Sequence, residues 1–247
     1  MCFKNLFLLS VLILGFFQAV YGQAKIVNGE PTTIADCPSC VYLADKSGKL
    51  LCGATMIHKQ FCTSAATCTK PHTAAQLDVH GAKTYQRETG EVIPVHKMIY
   101  SSNFDQETYN FDIALVRLSK PFTSALVVPA VRCTSPPQVY DVMTQYGWGQ
   151  ISENGLNSNV LRKTNLGAMK KEDCLTYIAP LTGTQYCTIN SNSGGCKNDY
   201  GSGTYNDKGE YCGHLSWTYG CGRDYPNLHC SAIAVANFID TGISRNL

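Results

Sequence analysis

Charge is sparse in this chain. Asp, Glu, Lys and Arg make up 15% of its 247 residues, and the formal net charge is +2 at neutral pH. So small a balance gives no electrostatic footprint for nucleic acid or an anionic membrane surface, so neither is expected as a partner. There is no glycine-rich phosphate loop and no internal repeat, which argues against a nucleotide-binding loop and a solenoid. No Asn-x-Ser/Thr triplet occurs, so N-linked glycosylation is not expected. Past the N-terminus, no apolar run approaches the ~20 residues that a membrane-spanning helix needs. Yet 44% of the residues are hydrophobic, enough for a full core and too many for a disordered chain. The length suits one large all-β domain or two smaller ones sharing an interface.

What is present begins with a leader. Lys4 supplies a positive start, residues 6–17 an apolar run and Ala19-Val20-Tyr21-Gly22 a small-residue cleavage site. The rival is a membrane anchor, for which the run is too short. The reading is a signal peptide over residues 1–22 and a secreted, extracellular product. Thirteen cysteines occur, with Cys2 inside the leader, so an even twelve enter an oxidising compartment. Cys37-Pro38-Ser39-Cys40 has the spacing of a zinc half-site. No second pair follows at a suitable distance, so disulfides are expected, and no metal or cofactor.

From Val41 onward the chain reads as short β-rich runs broken by Gly, Pro, Asn and Asp, among them 51–57, 92–99, 113–118 and 142–148. Strands this short and frequent indicate an all-β barrel or sandwich. Residues 232–243 are the exception: Ala234, Phe238 and Ile239 share a helical face. A second short helix is expected within 165–177, with Lys170-Lys171-Glu172-Asp173 on its solvated face.

Several motifs follow one another in a telling order. Gln23-Ala24-Lys25 precede Ile26-Val27-Asn28-Gly29. Then come Cys52-Gly53-Ala54, Thr63-Ser64-Ala65-Ala66-Thr67-Cys68 and Asn110-Phe111-Asp112-Ile113-Ala114-Leu115. Gly147-Trp148-Gly149, Cys196-Lys197-Asn198-Asp199-Tyr200-Gly201-Ser202-Gly203, and Ser216-Trp217 with Cys221 and Pro226 complete the series. From residue 26 to about 243 the chain resembles the trypsin-like serine proteases. The resemblance implies two six-stranded antiparallel β-barrels closed by a C-terminal helix: a propeptide at 23–25, a first barrel over 26–128, and a second barrel with the helix over 129–247. It implies bridges Cys52–Cys68, Cys174–Cys187 and Cys196–Cys221. Cys37, Cys40, Cys62, Cys133, Cys212 and Cys230 are left for three further bridges, and six cysteines allow fifteen pairings. It also implies an ion pair between the freed Ile26 amine and Asp199, since a buried carboxylate needs a cation to offset its lost hydration.

The chemistry departs from the family. Acyl transfer needs a hydroxyl nucleophile, an imidazole to take its proton and a carboxylate to orient the imidazole. Thr67 occupies the imidazole slot and Tyr200 the nucleophile slot; of the triad positions Asp112 alone keeps its family identity. A hydroxyl has no pKa suited to a general base near neutrality. Asn198 replaces an oxyanion-hole glycine, Gly194 falls at the base of the specificity pocket, and Thr218 and Asn227 replace its wall glycines. A narrowed or closed pocket follows. Asp112, without its imidazole, is expected to be satisfied by the Thr67 and Ser216 hydroxyls and nearby N–H groups. His58, His72, His80, His96, His214 and His229 read as core or surface residues.

A secreted scaffold with both losses resembles a serine protease pseudoenzyme. Asp36-Cys37-Pro38 points towards the mite group 3 allergen proteases, and the double loss towards the inactivated protease paralogues of the scabies mite. That resemblance implies a monomeric binder of host proteins that inhibits complement. A second class is a regulator or decoy in a protease cascade. The absence of a clip domain ahead of Ile26 weighs against it. The third is a hydrolase with relocated chemistry at a free cysteine, disfavoured by even cysteine parity.

Overall fold

The computed structural model describes residues 29–247. The chain opens with a two-residue strand, β1 (Glu30–Pro31). The first barrel follows: β2 (Cys40–Asp45), β3 (Leu50–His58), β4 (Phe61–Ser64), β5 (Leu77–Gly81), β6 (Glu91–Tyr100) and β7 (Ala114–Leu118), with the one-turn helix α1 (Ala66–Thr69) after β4. These strands close in the order β2-β3-β4-β7-β6-β5 and back to β2, with every pair antiparallel. The second half contains β8 (Val142–Gly147), β9 (Arg162–Ala168), α2 (Lys171–Leu175), β10 (Gln185–Ile189), β11 (Gly203–Tyr205), β12 (Tyr211–Thr218), β13 (Asn227–Ser231) and α3 (Ala236–Ser244). Its ring runs β8-β9-β10-β13-β12-β11 and returns to β8, while β1 adds to β9. Closure leaves neither barrel a long open edge. Among the described residues no helix is long and apolar enough to cross a membrane.

Strand β2 shows how the halves are joined. Cys40, Val41, Tyr42, Leu43 and Ala44 are all buried, although side chains alternate along a strand. Val41 and Leu43 point into the first barrel's core with Met56, Ile93 and Val116. Cys40, Tyr42 and Ala44 face the other way, into a core shared with Trp148, Leu161, Tyr205 and Tyr211 of the second half. One strand thus serves two apolar layers, and this seam positions the loops of both barrels against each other. At the chain's end, Ile239 of α3 packs with Ile113, Val235 and Cys230, and Asp240 receives two guanidinium hydrogen bonds from Arg132, each 2.9 Å.

The short helix expected within 165–177 is α2, which follows the β9 residues Asn165–Ala168, and Lys170 to Asp173 are solvent-exposed, as read. The cysteine expectation needs correction. Cys52–Cys68, Cys174–Cys187 and Cys196–Cys221 are joined by two further bridges, Cys37–Cys40 and Cys133–Cys212, rather than three. Cys62 and Cys230 are free thiols. Their strands direct one into the first barrel's core and the other under the C-terminal helix, so their sulfurs cannot meet at bonding distance.

Burial pushes the Cys62 thiol up to about 12, and Cys230 well above its ordinary range. A buried thiol in apolar surroundings is a poor nucleophile. Thiol titration of the chain starting at Ile26 is expected to find no reactive thiol in the native state and two after denaturation without reductant. Zero after denaturation would mean that Cys62 and Cys230 are bridged.

Candidate functional site

The site forms where loops of the two barrels meet across the seam. Thr67 lies in α1, Asp112 just before β7, and Tyr200 in the loop 196–203 that leads into β11. Thr67 and Tyr200 line a single cleft of about 320 Å³ with Gln106, Tyr109, Ser216 and Trp217. Asp112 lies behind it, fully buried. Its carboxylate accepts hydrogen bonds from the Thr67 N–H at 2.7 Å and from the Thr67 hydroxyl at 3.0 Å. Thr67 is therefore the residue whose N–H and hydroxyl satisfy the buried carboxylate. Ser216 also favours the charged form of Asp112, although its Oγ falls short of hydrogen-bond geometry and has no other partner. Burial wins over these donors, and the Asp112 carboxyl is pushed up to about 6.

No imidazole lines the cleft. His214 has both ring nitrogens engaged: Nε2 with the Asp112 carbonyl at 2.8 Å and Nδ1 with the Tyr211 hydroxyl at 2.8 Å. His229 is likewise held between the Thr188 and Thr204 hydroxyls. Burial drives these rings to about 4 and about 3, so both are neutral at physiological pH. His80 is buried and stacked on Tyr42. His58 and His72 are half-buried, and His96 is exposed. At Tyr200, burial raises the phenol above its ordinary range, and the nearby Tyr109 and Asp199 raise it further. The cleft thus presents hydroxyls, an amide and aromatic rings, with no base to activate any of them.

The loop 196–203 is fixed at both ends. The Tyr200 carbonyl accepts from the Gly53 N–H of β3 at 2.9 Å, and the Gly201 N–H donates to Leu215 O at 2.7 Å. Gly201 has φ +89°, and a Cβ there would collide with the Gly53 carbonyl oxygen and the Ser64 hydroxyl. Asn198 takes φ +69°, a conformation that Asn tolerates better than most residues, and donates its amide to Asn157 Oδ1 at 2.9 Å. Asp199 is buried and accepts from the Gly149 N–H at 2.7 Å and the Cys196 N–H at 3.1 Å. Burial still pushes its carboxyl up to about 7. Its expected partner Ile26 lies outside the described residues.

The positions expected to form the specificity pocket are also brought together. Thr218 and Asn227 are cross-strand neighbours on β12 and β13. Asn227 is fully buried, and its carboxamide lies against both Gly194 and Gly222, where an added Cβ would meet it within 3.1 Å. Side-chain atoms of Asn227 thus occupy the space between these backbones. Sequence reasoning missed Gln106 and Tyr109. Both come from a loop whose path is set by remote contacts, Gln185 Nε2 to Thr108 O at 2.6 Å and the Phe111 N–H to Thr184 Oγ1 at 3.1 Å. No local spacing encodes those contacts.

Two outcomes follow from the buried carboxylates. An Asp whose folded pKa is raised binds protons more tightly in the native state, so native stability falls as pH rises from ~4, the unfolded value, towards the folded one. Melting temperature is expected to decline between pH 4 and 6, and less steeply in Asp112→Asn; equal slopes would rule out Asp112 as a contributor. If the Ile26 amine reaches Asp199, it lowers that carboxyl instead. A chain starting at Ile26 should then be more stable than one starting at Gln23 near pH 7. The advantage should vanish below pH ~4, where the carboxylate is protonated.

Residues 26–239 match the family model described as Trypsin. The chain is similar to Trypsin alpha-4 of Lucilia cuprina, at 26% identity over 90% of this chain and 89% of that protein. It is similar to Trypsin-1 of Salmo salar at 29% identity, over 87% and 88% of the two chains. Ovochymase-2 of Mus musculus is 30% identical over 83% of this chain and 36% of its own length. The two closed barrels, the seam between them and a family match across most of the sequence place the chain in the trypsin-like serine protease family.

Proposed function

We propose that this chain is a secreted, proteolytically inactive member of its family that works as a binding protein on host defence proteins, with complement components as its targets. The observation that carries the inactive reading is the Thr67–Asp112 pair. The carboxylate that would orient an imidazole is instead closed off by the N–H and hydroxyl of a threonine. In a different serine protease, loss of the nucleophile or the histidine alone costs roughly a millionfold in turnover. Here both positions are replaced, and Asn227 fills the space into which a substrate side chain would insert.

A binding role fits the conserved scaffold, because loops on a rigid frame are where recognition surfaces are built. The complement target rests on the resemblance to the inactivated mite paralogues. The relocated-hydrolase reading loses its nucleophile: the two free thiols are buried in cores, and burial raises both.

The test is an active-site serine hydrolase probe run beside a haemolytic complement assay on the chain starting at Ile26. The expected result is no labelling and dose-dependent protection of the target cells. Labelling would overturn the inactive reading, and full lysis at every dose would overturn complement as the target.

A further inference from the structure

We propose that the remnant cleft is a carbohydrate site, holding one pyranose ring of a glycan between Tyr200, Tyr109 and Trp217. Its wall combines three aromatic rings with the neutral polar side chains of Thr67, Gln106 and Ser216. Apart from the two phenols, none of these six is ionisable, so the lining offers no formal charge to pair with an ionic ligand. A sugar has the matching chemistry. Its C–H face carries partial positive charge and suits the negative face of an aromatic ring, while its hydroxyls both donate and accept.

The polar side of the cleft carries the exposed Gln106, whose carboxamide both donates and accepts. The Thr67 hydroxyl spends its proton on Asp112 and keeps lone pairs to accept with. At about 320 Å³ the cleft is near the low end of small-molecule sites, the scale of one sugar ring rather than a long peptide. An inserting peptide side chain is also barred, because Asn227 occupies the adjoining pocket.

Beyond Trp217 in the chain lies a second group of aromatic rings. Tyr219 lies two residues beyond Trp217, and its ring is 4.7 Å from Tyr225, which in turn meets Tyr177 at 5.9 Å. The three are 58%, 41% and 50% exposed, a cluster of large aromatic faces turned to solvent. The Cys196–Cys221 bridge pins the loop that carries Tyr219 and Tyr225, so little order is lost on binding. A second sugar unit would lie over these rings.

This inference goes beyond the binding role above and holds whether or not complement is the target. The test titrates the chain starting at Ile26 with the methyl glycosides of mannose, galactose and N-acetylglucosamine and with disaccharides of each, read by calorimetry and saturation-transfer NMR. At least one sugar should bind saturably, with its disaccharide tighter by about tenfold, a difference of ~1.4 kcal/mol. The exposed-site variants Gln106→Ala and Tyr219→Ala should each weaken the disaccharide without changing the melting temperature, and Trp217→Ala should abolish binding. No saturable binding by any sugar, or binding unchanged in all three variants, would overturn the proposal.

Discussion

A carboxylate with no water around it must be supplied with donors, and Asp112 imposes that demand at the junction of the two barrels. Thr67, from the first barrel's helical turn, supplies two of them. The Asp112 backbone carbonyl engages His214 from the second barrel. His214 engages Tyr211, and Tyr211 receives the hydroxyl of Thr63, back in the first barrel. This line of hydrogen bonds crosses the seam twice, in surroundings of low dielectric where each bond counts for more and each gap costs more. The apolar layer shared by Tyr42, Trp148, Tyr205 and Tyr211 surrounds it. The carboxylate closes on Thr67 within the first half, and the carbonyl of the same aspartate ties that half to the second.

The neighbouring loop positions are held as tightly. Asn198 accepts a left-handed conformation suited to glycine and secures it through Asn157. Asp199 stays in its cage of N–H groups, with Gly147 and Gly149 so close that any side chain there would strike its carboxylate. Asn227 spans the space between Gly194 and Gly222. A fold can keep its loop architecture while its chemistry is replaced, because loop paths depend on backbone bonds and bridges rather than on the reacting groups.

The strands at 51–57, 92–99, 113–118 and 142–148 were legible because alternation and turn residues are local signals, and they correspond to β3, β6, β7 and β8. Cysteine parity misled because an even count says nothing about which way a strand turns its side chain, and Cys62 and Cys230 face different cores. Gln106 and Tyr109 were invisible because the loop that delivers them is held from the second barrel.

The strand β1 has a consequence for how the molecule is made. It precedes every strand of the first barrel, yet it pairs with Lys163 and Arg162 of the second. During synthesis Glu30 emerges about 130 residues ahead of its partner, which at ribosomal speeds is a wait on the order of ten seconds. Over that interval the first barrel has all its own strands and can close, while its leading strand has nowhere to pair. The earliest strand of the described chain is thus fastened only by a strand from the second half.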